Sequence, residues 1–175
     1  MQPSQTSSWK RGAIKRSVSI LPHEGIIVHI DADLSVSPRY IPLFVKKILA
    51  GKHDIVICSR LKSGAKVKRR VYRTFLTVGY NAIINMLFKD GIRDHQCGFK
   101  AFNLEKTRDI ILNTIDSGWF WDTEVLVRAK RAGLNIYEMP VEWIESFRDS
   151  KVNIWKDATK MLLSALKLRI RLWKE

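Results

Sequence analysis

Residues 26–33 read Ile26, Ile27, Val28, His29, Ile30, Asp31, Ala32 and Asp33. An apolar run with a β-branched bias stops abruptly at two acids, which predicts a buried strand delivering carboxylates to its carboxyl end. In open α/β sheets ligands sit in the crevice outside those ends. Paired acids there are placed to hold a hard cation. Asp-x-Asp is a short motif, however, and a helix-capping Asp beside a solvated loop Asp also accounts for it.

The flanking sequence supports an α/β frame. Ahead of the strand, residues 11–21 carry Ala13, Ile14, Val18 and Leu21 at helical spacing, closed by Pro22, and residues 1–10 read as a disordered start. Behind it, Ser37 and Pro38 form an N-cap and first-turn pair for a helix whose apolar face is Ile41, Phe44, Val45, Ile48 and Leu49, with Gly51 as the stop. Residues 54–58 (DIVIC) give a second short strand, so strand, helix and strand follow as in a right-handed parallel crossover. Ser59 and Arg60 should then emerge at the same sheet edge as Asp31 and Asp33.

A basic, Gly-containing loop at 62–70 leads into a long helix over 69–88 with apolar positions at Val71, Phe75, Val78, Ala82 and Met86, ended by Gly91. Residues 96–102 (QCGFKAF) read as a strand, 104–115 and 122–132 as helices, and 135–143 as a last strand that Pro140 assigns to an edge. The most periodic segment is the last. Ile154, Ala158, Met161, Ala165, Leu168 and Leu172 share one face, widened by Trp155, Leu162, Leu166 and Trp173, with lysines and arginines opposite. Such a basic amphipathic helix fits either packing on the core or lying in a membrane interface.

The chain has 175 residues, 46% of them hydrophobic, enough for one domain with a sizeable core. Its formal net charge of +14 implies a polyanionic partner: nucleic acid, an anionic membrane surface or phosphorylated substrates. Neither a stacking strand nor a recognition helix is evident, so nucleic acid is not expected. The longest uncharged run, 74–88, contains Tyr80, Asn81 and Asn85 and is short for a membrane span. The first residues lack the basic-then-apolar pattern of a signal peptide, so export is not expected. Cys58 and Cys97 lie in or beside apolar runs without metal-ligand spacing, which predicts buried free thiols in a reducing compartment.

Taken as an ordered set, the motifs resemble the family-2 glycosyltransferases of the GT-A fold, within them the dolichol-phosphate mannosyltransferase and related polyprenyl-phosphate sugar synthases. The matching blocks are Asp31 to Leu34, Ser37-Pro38, Ser59-Arg60, Asp94 with Cys97 to Lys100, 119–124 (WFWDTE), and Pro140 to Trp143 with Arg148 and Lys151. The resemblance covers residue 11 to the end. It implies a mixed, mostly parallel sheet flanked by helices, with a partial GT-A domain over 11–152 followed by the basic helix at 153–175. By the same resemblance Asp31 and Asp33 are the metal and diphosphate ligands, for which Mg2+ or Mn2+ suits oxygen donors. Arg60, Arg73, Arg148 and Lys151 are clamps for the acceptor phosphate. Asp122 and Glu124 orient the sugar or donor, Asp122 having helix capping as its alternative. The implied reaction is inverting transfer of a mannose- or glucose-type hexose from a nucleotide-sugar donor to a polyprenyl (dolichyl) phosphate, by a peripheral protein at the cytoplasmic face of a membrane.

Two departures from the family pattern carry expectations of their own. Relatives begin with a strand-helix-strand unit that holds the nucleobase, and no counterpart precedes residue 11. A sheet without those strands would have a long unpaired edge, so the chain reads as N-terminally truncated, inactive alone, or completed by a separate chain supplying the nucleotide-binding half or a membrane anchor. Ser35 stands where many relatives have a further Gln ligand. The alternative reading is a catalytically silent membrane-surface interaction module derived from such an enzyme.

Overall fold

The computed structural model describes residues 5–116, 118–145 and 154–174. Its elements are α1 (Gln5–Ile20), β1 (Ile26–Ile30), a 3-10 turn (Pro38–Tyr40), α2 (Ile41–Leu49), β2 (Ile55–Ser59), β3 (Lys66–Lys68) and α3 (Val71–Phe88). There follow β4 (Phe99–Asn103), α4 (Leu104–Leu112), α5 (Trp121–Arg131), β5 (Ile136–Pro140), β6 (Glu142–Ile144) and α6 (Ile154–Lys174). Helix α1 starts at Gln5, ahead of the expected boundary at residue 11, so the start expected to be disordered is helical from there.

The main sheet has the order β1-β4-β2-β5. Strands β1, β2 and β5 run the same way, and β4 is antiparallel to both of its neighbours. The expected crossover from β1 to β2 is therefore correct in direction, but β4 occupies the space between the two strands. Strand β2 is buried along its whole length, as its continuous apolar run requires. Strand β1 is half-buried at every residue and, among the described residues, pairs on one side only, in contrast to the fully buried strand read from its composition. Strand β5 forms the other edge, where Pro140 costs no ladder bond. The expected last strand is broken after Pro140, and its second part, β6, pairs in parallel with β3 inside the basic loop.

Each sheet face carries its own core. Ile55, Ile57 and Phe102 pack with Ile14 and Val18 of α1, Ile111 of α4, and Trp121, Val125 and Leu126 of α5. On the opposite face Val56, Cys58, Phe99 and Ala101 meet Phe44 and Ile48 of α2, with Phe44 stacked on Phe99 at 4.5 Å. Ser37 accepts from the Arg39 N–H, so the Ser-Pro pair does cap the turn that opens into α2. A third cluster joins Ile84 of α3 and Val127 of α5 to Ala165, Leu168 and Leu172 of α6. Ala165, Leu168 and Leu172 of the face read as apolar thus pack on the core, while Leu166 and Trp173, which were to widen it, are exposed.

One apolar helix face turns outward, and one expectation is overturned. The apolar positions of α3 face outward: Val71, Phe75, Val78, Ala82 and Met86 are all exposed, and the buried residues are Asn81 and Ile84. Asn81 turns inward because its carboxamide serves the turn after the helix, accepting from the His95 N–H at 3.0 Å. Asn85 does the same, donating to the Ile92 carbonyl at 2.6 Å and accepting from Gly91 N–H at 2.9 Å. The helix is capped by Lys89 in the left-handed region, two residues before the expected Gly91. The overturned expectation concerns Cys58 and Cys97, which are not free thiols. They form a disulfide across a Cα–Cα distance of 5.9 Å, because the residues leading into β4 pass beside the end of β2.

Phe44 is fully buried between α2 and the sheet. Its replacement by alanine should cost about 3–5 kcal/mol, read from the midpoint of urea unfolding.

Candidate active site

Because β1, β2 and β5 are parallel, their carboxyl ends open on one sheet edge, where the antiparallel β4 begins. The Asp31 N–H donates to the Gly98 carbonyl at 3.0 Å, so the residue after β1 is held by the residue before β4. A Cβ on Gly98 would fall 1.5 Å from the Asp31 Oδ2 atom. Only glycine allows this approach. Asp33 Oδ1 accepts from the Ser35 N–H at 3.1 Å, which fixes the turn between the acids and the 3-10 element. Asp31, Asp33, Ser35, Gly98 and Trp143 line one small pocket. The Asp31 side chain is 34% exposed, with His29 Nε2 at 4.0 Å from its Oδ1.

Among the described residues no group of three or more His, Cys, Asp or Glu side chains is placed to hold a metal ion. Two accessible carboxylates nonetheless suit Mg2+ or Mn2+, which takes one or two protein carboxylates and completes its shell with water and substrate phosphates. The donor set therefore fits a cation delivered with a diphosphate.

Arg60 follows β2 and grips Asp94 through Nε to Oδ2 at 2.8 Å and Nη2 to Oδ1 at 2.7 Å, while its backbone N–H adds a third bond at 2.9 Å. Its guanidinium lies over the Trp143 ring, 4.8 Å from the centroid, and it is also stabilised by the charges of Asp31 and Asp122. Burial acts to raise the Asp94 pKa, but the charge and hydrogen bonds of Arg60 outweigh it and hold the carboxyl below the ordinary range. Arg60 is thus part of the edge's wall, committed to Asp94 rather than held ready as an isolated clamp.

The other expected residues are placed as follows. Asp122, in the first turn of α5, accepts from Lys100 Nζ at 2.8 Å, and both side chains are buried. The N-cap of α5 is Phe120, so Asp122 does not cap it. Lys100 also donates to the Cys97 carbonyl, which links Asp122 to the peptide just before Gly98. Glu124 accepts from the backbone N–H groups of Ile115 and Asp116 and pairs with Arg128 at 2.9 Å, so its carboxylate anchors the loop before α5. Arg73 pairs with Glu145 at 2.8 Å. Arg148 and Lys151 lie outside the described residues. Of the aromatic block, Trp121 and Phe120 are core and Trp119 is exposed.

Sequence reasoning passed over two residues. The close approach of Gly98 was marked only by its place in the Cys-Gly-Phe-Lys block. Arg69 had no signal beyond lying in a charge run, yet it is set among cations: Nη2 donates to the Thr77 hydroxyl at 2.7 Å and to the Arg73 carbonyl, and Nε is buried without a hydrogen-bond partner. Burial, then the charge of Arg60, draws its pKa down to about 10. Arg69 thus adds positive charge to an edge where Arg60 and Arg73 already have acidic partners.

Asp94→Asn keeps the shape of the pair but leaves Arg60 buried with its charge uncompensated, and should cost about 3–5 kcal/mol. Since the folded pKa of Asp94 is lowered, its contribution is fully present above the unfolded value and fades as pH falls through the folded one. Urea midpoints measured downward from about pH 5 should therefore fall more steeply in the parent than in Asp94→Asn.

Comparison with known proteins gives the family and the fold. The profile of Glycosyl transferase family 2 matches residues 4–111. Glycosyltransferase AglD of Haloferax volcanii is 35% identical over 150 residues, covering 86% of this chain and 24% of that protein. Two dolichyl-phosphate beta-glucosyltransferases of Trichomonas vaginalis are similar: ALG5A, 35% identical over 74% of this chain and 41% of its own length, and ALG5C, 32% identical over 97% and 53%. The chain spans about half or less of the length of these relatives. The fold matches glucosyl-3-phosphoglycerate synthase of Mycobacterium tuberculosis in complex with UDP, with TM-score 0.68, 18% identity, and coverage of 91% of this chain and 54% of that one. The same enzyme in complex with Mn2+, UDP-glucose and glycerol 3-phosphate aligns with TM-score 0.66 at 18% identity and the same coverage. The chain belongs to glycosyl transferase family 2 and has a GT-A-like fold.

Proposed function

We propose that this chain carries the diphosphate and acceptor portions of a site that moves a hexose, of the glucose or mannose type, from a nucleotide-diphosphate sugar to a polyprenyl phosphate with inversion. The observation that carries the reading is the meeting of the Asp31 and Asp33 pocket with the Arg60, Arg69 and Arg73 cluster at one sheet edge, Trp143 being common to the pocket and to Arg60. The names of the dolichyl-phosphate beta-glucosyltransferase relatives support the acceptor class.

The acceptor needs positioning more than deprotonation, because a phosphate monoester with a second pKa near 6 is largely dianionic at neutral pH. One of its oxygens attacks the anomeric carbon, the bond from that carbon to the diphosphate breaks, and the electron pair leaves with the nucleoside diphosphate. A bound Mg2+ or Mn2+ would supply charge neutralisation for the departing diphosphate. Asp31 and Asp33 would hold that ion, and Gly98 would keep Asp31 in place. Arg69 and Arg73 would orient the acceptor phosphate, with Arg148 and Lys151 proposed for the same task. Asp122 acts through Lys100 and the Cys97 carbonyl as a positioning residue, and Glu124 fixes the loop that leads to it. Such an acceptor places the reaction at a membrane surface, and the cytoplasmic face is the one where nucleotide sugars would be met.

Among the described residues β1 pairs on one side only, so a further strand pairing at its other side is part of the proposal. The silent-module reading draws support from the exposed apolar positions of α3.

The 175-residue chain, given Mn2+ or Mg2+, UDP-glucose or GDP-mannose, and dolichyl phosphate, should release labelled sugar into the lipid phase. The rate should fall at least about 100-fold in Asp31→Ala/Asp33→Ala. No product from any donor, with vesicle binding intact, would favour the silent module; product only after adding the amino-terminal half of a relative would assign the missing activity to the edge of β1. Independently, Mn2+ affinity read by electron paramagnetic resonance should fall about tenfold in Gly98→Ala as Asp31 is displaced.

A further inference from the structure

The ladder between β2 and β4 stops at Ile57 and Lys100. Beyond that point the end of β2 and the entry to β4 are joined by the Cys58–Cys97 disulfide and the Arg60–Asp94 pair. Each cysteine stands close in sequence to a residue of the sheet edge. Cys58 is two residues before Arg60. Cys97 directly precedes Gly98, whose carbonyl accepts the Asp31 N–H and whose missing Cβ admits the Asp31 carboxylate. The Cys97 carbonyl also accepts from Lys100 Nζ, the partner of buried Asp122. One covalent bond therefore holds the peptide on which Asp31 rests. The two cysteines pack with Val36 and Phe99, which also line the small pocket at Asp31 and Asp33.

We propose that this disulfide is a reversible redox switch for the site, closed by oxidation into the form that holds Asp31 and opened by a dithiol reductant into a looser one. It rests on the function proposed above for its setting, since the cytoplasmic face of a membrane is a reducing environment, where disulfides are as a rule transient and catalytic or redox-sensing. Both cysteines are fully buried. A thiolate reaches them only when this end of the sheet opens locally, and the segment that must open is the one that carries Gly98.

In the exchange, the reductant's thiolate attacks one sulfur, a mixed disulfide forms, and the other cysteine leaves as a thiolate. The reductant's second thiol then displaces the first cysteine. The products are two cysteine thiols and the oxidised dithiol, which has supplied both electrons. Two thiols need van der Waals separation where bonded sulfurs do not, so reduction releases Cys97, and with it Gly98, from β2. The coupling is reciprocal. A cation at Asp31 and Asp33 makes the disulfide harder to open by the same factor through which the disulfide tightens the cation.

The full chain before and after dithiothreitol, with Cys58→Ala/Cys97→Ala as a form that cannot close, tests the proposal. The chain has no other cysteine, so titration should count two thiols after treatment. Oxidised dithiothreitol should close them again, with the circular dichroism unchanged throughout. Amide hydrogen exchange over residues 31–34 and 96–99 should quicken at least about tenfold in the reduced chain and in the double variant, and stay the same in α6. Mn2+ affinity, read by electron paramagnetic resonance, should fall about tenfold on reduction, and saturating Mn2+ should then lower the midpoint potential of the disulfide by about 30 mV, which is that tenfold converted. If neither form binds Mn2+ while the contrast in exchange persists, the metal reading of Asp31 and Asp33 falls and the switch stands. The proposal is overturned if the bond resists dithiothreitol until the chain unfolds, or if reduction abolishes the circular dichroism of the whole fold. It is equally overturned if exchange over residues 31–34, or the affinity for bound Mn2+, is the same in both redox states.

Discussion

A fully buried carboxylate has to find its compensation within the protein, and Asp94 finds it in Arg60. That requirement organises the sheet edge. Three hydrogen bonds to Asp94 tie the end of β2 to the segment before β4, and Glu138 of β5 accepts the N–H groups of Arg93 and Asp94 at 3.1 Å each. Next along the chain, the His95 N–H and ring meet Asn81 of α3, and the ring also meets Asp90 at 2.9 Å. Six residues, 93–98, thus join β2, β5, α3 and β1. The antiparallel entry of β4 follows, because the chain must leave this hub between β1 and β2.

The same hub sets the site's electrostatics. Arg60 is held by Asp94, Arg73 by Glu145 and Lys100 by Asp122, so each of these cations has an acid at its side. Arg69 has only neutral hydrogen-bond acceptors among the described residues, and burial, then the charge of Arg60, lowers its pKa against the opposing charges of Asp94 and Glu145. On the function proposed above, the acceptor phosphate is the group that would relieve it, and a diphosphate brought with its own cation would be met by Asp31 and Asp33.

How much of this the sequence could disclose depends on the range of the interaction. The strand ending at Asp31, the Ser37 cap and the return of Ser59-Arg60 to the same edge were legible, because each is set by neighbours within a few residues. The insertion of β4 was not, since local alternation says that a segment is a strand and nothing about which strands flank it. Cys58 and Cys97, 39 residues apart, became partners through that insertion alone. Arg69 could not be singled out from its charge run without knowing which cations the fold would neutralise.

Helix α3 shows the limit in a sharper form. Periodicity identified Val71, Phe75, Val78, Ala82 and Met86 as one face correctly, but periodicity does not say which way a face points. Asn81 and Asn85 decide it. Buried amides need partners, and the turn at 91–95 offers them the Gly91 and His95 N–H groups, the Ile92 carbonyl and the His95 ring. Once the polar side is claimed by the hub, the apolar side has nowhere to turn but outward. The exposed arc is then a consequence of how Asp94 and its neighbours are held, and the geometry that builds the sheet edge also presents an apolar surface beside it.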